Sequence, residues 1–381
     1  MTTALELAAE LRAGRISAVE VVTESLERIE AERSRIGGVA FVDPERALAD
    51  AVRADRRIGQ GSAGVFEGVP FTVKDWIDVE GWVVTGATGS TGAASRRPAA
   101  DATAVARLRD AGAVVVAITS AVADNHLHGA TRNPVDPGLA PGGSSSGAAA
   151  LVGAGAVPFG LGSDSGGSIR LPAAWCGVTG LKPSFGRVPL TGHFPRCGAM
   201  EDARTVIGPL ATDVADLHAV LRVIAGPDGL DAGVAPVPLP DPGEVRMGEL
   251  RAGVVAGHEI ELPWATTVIP DPREEALDIT ERYWGRAHLS GAENVRLLWD
   301  WDRFRRRMLQ ATEGLDIVVT PAAETPPPPW RESRTADYRW TLPWSLTGSP
   351  AVVVPPAVQV VARPWMDHVA LAAAAHLYND A

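Results

Sequence analysis

Pro141-Gly-Gly-Ser144-Ser145-Ser146-Gly-Ala148 and Gly162-Ser-Asp164-Ser165-Gly166-Gly167-Ser168-Ile-Arg170 are two serine-bearing glycine turns, and Cys176-Gly-Val-Thr-Gly-Leu-Lys-Pro183 follows directly. Glycine loses more backbone freedom on folding than any other residue, so glycines this dense are rarely there for packing. They let backbone N–H groups approach a bound group, or they hold a turn other residues cannot. A serine at the end of such a turn, with bare amides beside it, suits an acyl-transfer nucleophile. The plainer alternative is that Ser168 caps a helix beginning at Ile169.

A serine nucleophile needs an adjacent base. No histidine stands within either turn, and His193 is the nearest one downstream. Upstream, Val69-Pro-Phe-Thr-Val73 reads as a short apolar strand that runs straight into Lys74-Asp75. A lysine directly after an apolar run is poorly placed to be a solvated surface lysine. Its ordinary pKa of about 10.4 is too high for a neutral-pH base. Burial would have to depress it.

Taken together, these stretches resemble the amidase signature family of serine amide hydrolases. The family pattern is Gly-Gly-Ser-Ser-Gly-Gly, then Asp-X-Gly-Gly-Ser-Ile-Arg and Gly-Leu-Lys-Pro, with a matching Val73-Lys74-Asp75 upstream. A weaker resemblance runs from about Leu5 to about Ala375. It implies that Ser168 attacks an amide carbonyl. Ser144, preceded by a cis peptide bond in the family, relays the proton to neutral Lys74. Backbone amides across Ser165, Gly166, Gly167 and Ser168 form the oxyanion hole. Asp164 and Arg170 flank the nucleophile as an ion pair that fixes the loop, and Ser145 helps by hydrogen bonding. The family needs no cofactor or metal, so none is expected. The implied substrate is a small-molecule amide.

Some features depart from that pattern. Ser146 replaces the usual glycine. The segment from Thr119 to Thr131 is short, and Gly-Leu-Pro-X-Gly is missing before Gln359. A trimmed, more open mouth is the expectation. Trp76 and Trp82 flank the end of the Lys74 strand, Trp175 follows the nucleophile turn, and Trp340 and Trp344 lie in a late segment that contributes to the acyl pocket in the family. Trp76, His126, Trp175 and Trp344 are taken as pocket candidates, each with a core role as the alternative. Asp124-Asn-His126-Leu-His128 would place two histidines on one face of a strand. Two histidines and an aspartate are too few for a zinc site, which leaves loop or pocket roles. Cys176 and Cys197 are not expected as nucleophiles, and Cys176 reads as core.

A net charge of −11 argues against a nucleic-acid partner. Two cysteines make no disulfide framework and fit a reducing, cytoplasmic compartment. No signal-peptide pattern opens the chain. No apolar run approaches the ~20 residues of a membrane span. Helices are expected over 4–13, from the Ser17–Glu20 capping box, from Asp43-Pro44, from Asp101 to about Ala111, from Asp213, within 272–313 and over 366–379. Strands are expected at Val69–Val73, Ala113–Ile118, Val157–Leu161, Asp316–Pro321, Ala351–Pro355 and Val358–Val361. Beyond Gly192 the pattern loosens, and the prolines at 326–329 suggest a stiff exposed connection.

That alternation suggests one α/β domain over 1–381, with a large mixed, mostly parallel central sheet covered by helices on both faces. Residues 1–60 would be helices packed on the core, a region that often mediates homodimers in the family. The leading functional expectation is an amidohydrolase. The alternatives are an amidotransferase-type subunit that releases ammonia for a partner, an acyl-transferring biosynthetic enzyme, and a non-catalytic scaffold.

Overall fold

The computed structural model describes residues 2–86, 95–194, 204–258 and 260–379. Its strands are β1 (Val39–Phe41), β2 (Pro70–Lys74), β3 (Val114–Thr119), β4 (Asp124–Asn125), β5 (Gly129–Ala130), β6 (Phe159–Asp164), β7 (Thr179–Lys182), β8 (Val206–Ala211), β9 (Arg251–Val255), β10 (Ala265–Ile269), β11 (Ile317–Pro321), β12 (Ala351–Val354) and β13 (Val358–Ala362). Its helices are α1 (Ala4–Arg12), α2 (Ala18–Arg33), α3 (Pro44–Gly59), α4 (Thr103–Asp110), α5 (Ser146–Gly153), α6 (Arg170–Cys176), α7 (Val214–Ile224), α8 (Arg273–Trp284), α9 (Gly291–Ala311), α10 (Leu342–Thr347) and α11 (Asp367–Asn379).

Eleven strands form one sheet in the order β1-β3-β2-β6-β8-β7-β12-β13-β11-β9-β10, and β4 pairs with β5 in a separate hairpin. Every residue of β2, β3, β6, β7, β8 and β12 is buried. Successive strand residues point to opposite faces, so both faces there are covered. The sheet is mixed, but parallel pairing does not dominate it. Parallel pairs are confined to β3-β2-β6 and β11-β9-β10. The other neighbouring pairs, from β1-β3 and β6-β8 through β11-β13, are antiparallel. Antiparallel neighbours need only short connections, as between β12 and β13, whereas a parallel pair needs a crossover.

Ser17 and Glu20 form the expected capping box of α2, and Asp43 caps α3 ahead of Pro44. Asp101 does not cap α4. Its carboxylate accepts from Glu80 N (2.7 Å) and Arg109 Nη1 (2.8 Å), and Ala102 stands at the cap without a side-chain bond. Where the sequence pattern loosens after Gly192, the chain supplies β8, β9 and β10 to the sheet. The proline run is no free connection. Pro328 O accepts from Ala140 N (2.8 Å), and Pro329 bridges to Leu139, which ties the run to the residues just ahead of the Pro141 turn.

β2 and β6 are adjacent and parallel, with Val73 opposite Leu161, so Lys74 and Ser163-Asp164 emerge at the same end of the sheet. The two serine turns leave from that end. Ser144 and Ser145 precede α5, and Ser168 precedes α6. The small residues Gly147–Ala150 let α5 lie buried against its neighbours from Ser146 to Val152.

Candidate active site

Lys74 has no exposed surface, and its Nζ is ringed by hydroxyls. It donates to Ser144 Oγ (2.8 Å), Ser145 Oγ (3.1 Å), Ser163 Oγ (3.1 Å) and Ser163 O (3.4 Å). The Trp76 ring centroid lies 4.1 Å from the same nitrogen. Burial pushes the Lys74 pKa down to about 7, against an opposing pull from the Asp164 charge. Near neutral pH such an amine exists in both protonation states, which is what a general base requires.

The peptide bond between Gly143 and Ser144 is cis. Ser145 ties the two turns together: its N–H donates to Ser168 O (3.1 Å) and its hydroxyl to Ser163 O (3.2 Å). Ser168 is half-buried, and its hydroxyl makes no hydrogen bond to another described residue. Nor do the backbone N–H groups of Ser165, Gly166, Gly167 and Ser168 donate to any described residue. Four adjacent amides of one turn therefore remain available to an anion or a polarised carbonyl. Gly167 holds φ at +141°, and a Cβ there would sit 2.2 Å from Thr341 Oγ1, so only glycine fits.

Asp164 and Arg170 are both buried and paired in two places, Nε to Oδ2 (3.0 Å) and Nη2 to Oδ1 (2.9 Å). Burial pushes the Asp164 carboxyl up. The Arg170 charge and hydrogen bonds, the Lys182 charge and the Ile169 N–H outweigh it and hold the pKa below the ordinary carboxylate value. The remaining Arg170 donors reach Thr341 O (2.8 Å), Gln359 Oε1 (3.0 Å) and Ser345 Oγ (2.6 Å). Every face of the guanidinium is occupied, and the Ser168 turn is bound to α10 and β13.

The other candidates divide. Trp76 lies beside Lys74. Trp175 is buried, and its indole donates to Thr325 O (3.2 Å). Trp344 is buried in α10, while Trp82 packs edge-on against Phe41 in the core. His126 is exposed on the turn between β4 and β5. The histidine segment is a tight hairpin rather than one strand, because Asn125 Oδ1 accepts from the N–H groups of Leu127 and His128. It is His128 that turns inward, to Thr85 Oγ1 (3.1 Å) and Asp75 Oδ2 (3.3 Å). Burial pushes the Cys176 thiol up, away from the reactive thiolate. Cys197 lies outside the described residues. Ser146 opens α5, buried, and its hydroxyl has no partner among the described residues.

Sequence reasoning missed Ser163, Thr341, Tyr338 and Trp284. Ser163 precedes Asp164 in β6 and reaches Lys74. Tyr338 donates to Gly143 O (2.7 Å), and Thr341 donates to Gly166 O (2.5 Å). Trp284 lies over Gly166, 3.1 Å from where a Cβ would be. Only Ser163 stood inside a recognisable stretch.

Among the described residues, no helix is long and apolar enough to cross a membrane. A sequence model of the family described as Amidase matches residues 20–268. A glutamyl-tRNA(Gln) amidotransferase subunit of Chloroflexus aurantiacus is 43% identical over 251 residues, 64% of this chain and 50% of that protein. Its namesake in Roseiflexus castenholzii is 39% identical over 287 residues, 71% of this chain and 57% of that protein. The chain spans about half the length of the curated relatives it matches. A solved structure described as "An unexpected vestigial protein complex reveals the evolutionary origins of an s-triazine catabolic enzyme" superposes with a TM-score of 0.87 at 28% identity, covering 99% of this chain and 98% of that one. Another, described as "Crystal structure of amidase", superposes with a TM-score of 0.83 at 26% identity, covering 99% of each. With a family match over most of its length and the same fold throughout, the chain belongs to the amidase signature family.

Proposed function

We propose that the chain is an amidohydrolase that cleaves a carboxylic amide through an acyl-enzyme on Ser168. The observation that carries this reading is Lys74: a buried amine with its pKa lowered to about 7, hydrogen-bonded to Ser144 beside the turn that bears Ser168. Ser168 Oγ bonds to the carbonyl carbon, and its proton passes through Ser144 to the neutral Lys74 amine. The carbonyl oxygen takes up the negative charge and is met by N–H groups of residues 165–168. Collapse breaks the C–N bond, and the leaving nitrogen takes the proton back along the same path. Water then attacks the ester with Lys74 again as base, which releases the acid and restores Ser168.

The chain supplies base, relay and oxyanion donors itself, so this scheme calls on no cofactor. Trp76 and Trp284 beside the turns favour a substrate with an apolar or aromatic acyl group. We read residues 1–381 as one cytoplasmic domain. Similarity to proteins named as amidotransferase subunits supports a second reading, in which the same acyl-enzyme frees ammonia for a partner.

The test is a panel of small amides, glutamine included, scored for ammonia or amine release by the wild type, Ser168→Ala and Lys74→Ala. Turnover lost in both variants supports the scheme. Turnover of glutamine alone favours the second reading, and turnover that survives Ser168→Ala contradicts both.

A further inference from the structure

One turn of chain, Tyr338 to Thr341, touches both serine turns. Tyr338 Oη donates to Gly143 O (2.7 Å), the carbonyl just before Ser144. Thr341 Oγ1 has two carbonyl oxygens in reach, Gly166 O (2.5 Å) and Tyr338 O (2.9 Å), and its single proton goes to the shorter contact, while Thr341 O accepts from Arg170 Nη1 (2.8 Å). Thr341 thus grips the nucleophile turn on either side of Ser168. Tyr338 and Thr341 are both buried, so water does not compete for these bonds.

The peptide bond between Gly166 and Gly167 is trans. In a planar trans peptide the C=O and the following N–H point in opposite directions. With Gly166 O held by the Thr341 hydroxyl, the Gly167 N–H points away from Thr341, and no described residue accepts from it. Gly167 has no side chain to resist a flip of this plane, and its φ of +141° shows how freely the turn is built. The restraint comes from Thr341.

We propose that Thr341 is a positioning residue for the oxyanion hole: its hydroxyl fixes the Gly166–Gly167 peptide plane so that the Gly167 N–H faces the substrate carbonyl oxygen. This rests on Ser168 being the nucleophile, and the experiment separates the two ideas. Wild type, Thr341→Val, Thr341→Ala, Thr341→Ser and Ser168→Ala are exposed to phenylmethanesulfonyl fluoride, and adduct formation is followed by intact mass. The Oγ–S bond forms, the S–F bond breaks, and the serine proton and fluoride leave as HF, with a sulfonyl oxygen at the oxyanion position.

Thr341→Val is expected to label about tenfold slower or more, short of the ~10²–10³ lost when an oxyanion donor is deleted outright. Thr341→Ser restores the hydroxyl and labels at close to the wild-type rate. The pH midpoint of labelling stays in place because Lys74 is untouched. Thr341→Ala also lacks the hydroxyl and gives the same comparison if the valine variant does not fold. Labelling of the folded hydroxyl-free variants at the wild-type rate overturns the role of Thr341 and leaves Ser168 standing. So does a Thr341→Ser variant as slow as they are. A wild type that takes no adduct, or a Ser168→Ala variant that takes the same one, overturns both.

Discussion

Lys74 Nζ lies 2.8 Å from Ser144 Oγ, and its other hydrogen-bond partners are hydroxyls and a carbonyl rather than a carboxylate. Without a directly bonded carboxylate to hold the proton, burial decides, and the pKa falls to about 7. A lysine that would be an ammonium on the surface is here a proton acceptor near neutrality.

Reaction at Ser168 should therefore rise with pH through about 7 and level off above it. In the proposed scheme neutral Lys74 is the active form, so the limb must rise rather than fall. The check is the rate of adduct formation across pH. A rate that is flat from about pH 5 to about pH 9 would remove Lys74 as the base.

Ser163→Ala should move that limb to lower pH. The Ser163 hydroxyl accepts from Lys74 Nζ at 3.1 Å and so favours the charged amine. Its loss leaves the ammonium with one partner fewer, and the pKa falls further. An upward displacement of the midpoint would show that Ser163 acts mainly as a donor to the neutral amine.

The buried amine should also cost stability in a pH-dependent way. Its folded pKa of about 7 lies below the ordinary 10.5, so between those values the unfolded chain holds more protons. Stability from this group therefore rises with pH across that window, and the cost is complete below it. Lys74→Met should stabilise the protein most below pH 7, by a few kcal/mol in order of magnitude, with the gain shrinking toward pH 10.5. Denaturant unfolding of both proteins at the two ends of the window tests this. A gain that grows with pH contradicts it.

Arg170 should be essential to the turn. Its removal leaves Asp164 buried and unpaired, which costs about 3–5 kcal/mol at a site of this kind. Gln359 Oε1 and Ser345 Oγ lose their Arg170 donor at the same time, and Thr341 O keeps only its bonds from Ser345. Arg170→Lys should not rescue, because an ammonium cannot reproduce the two-point pairing. Thermal unfolding of Arg170→Met and Arg170→Lys reads both effects. A loss under about 1 kcal/mol in either would mean the pair contributes little.

The strands nearest the site were legible because β2 and β3 are apolar runs that end cleanly, and the serine turns announce themselves by their glycines. β8 was not. It lies where the pattern loosens beyond Gly192, and Gly208-Pro209 breaks its apolar run, yet Pro209 pairs with Leu161 in the middle of the sheet. β10 lies at the sheet edge with four of its five residues exposed, so burial leaves no pattern on it. Lys74, Ser144 and Ser168 could be marked from sequence because each stands in a distinctive stretch. Thr341 could not, since it is 175 residues from Gly166 and nothing around it hints at contact. The tryptophans were ambiguous for a related reason. Composition shows an aromatic ring but not whether it turns toward the site, as Trp76 does, or into the core, as Trp175 and Trp344 do.

The most direct test of the central claim is intact mass, with peptide mapping, after treatment with phenylmethanesulfonyl fluoride. If Lys74 activates Ser168, the wild type gains one adduct on Ser168. Ser168→Ala gains none, and Lys74→Ala reacts far more slowly while remaining folded. A folded wild type with no adduct, or one that carries the adduct elsewhere, would contradict the assignment of Ser168 as the nucleophile.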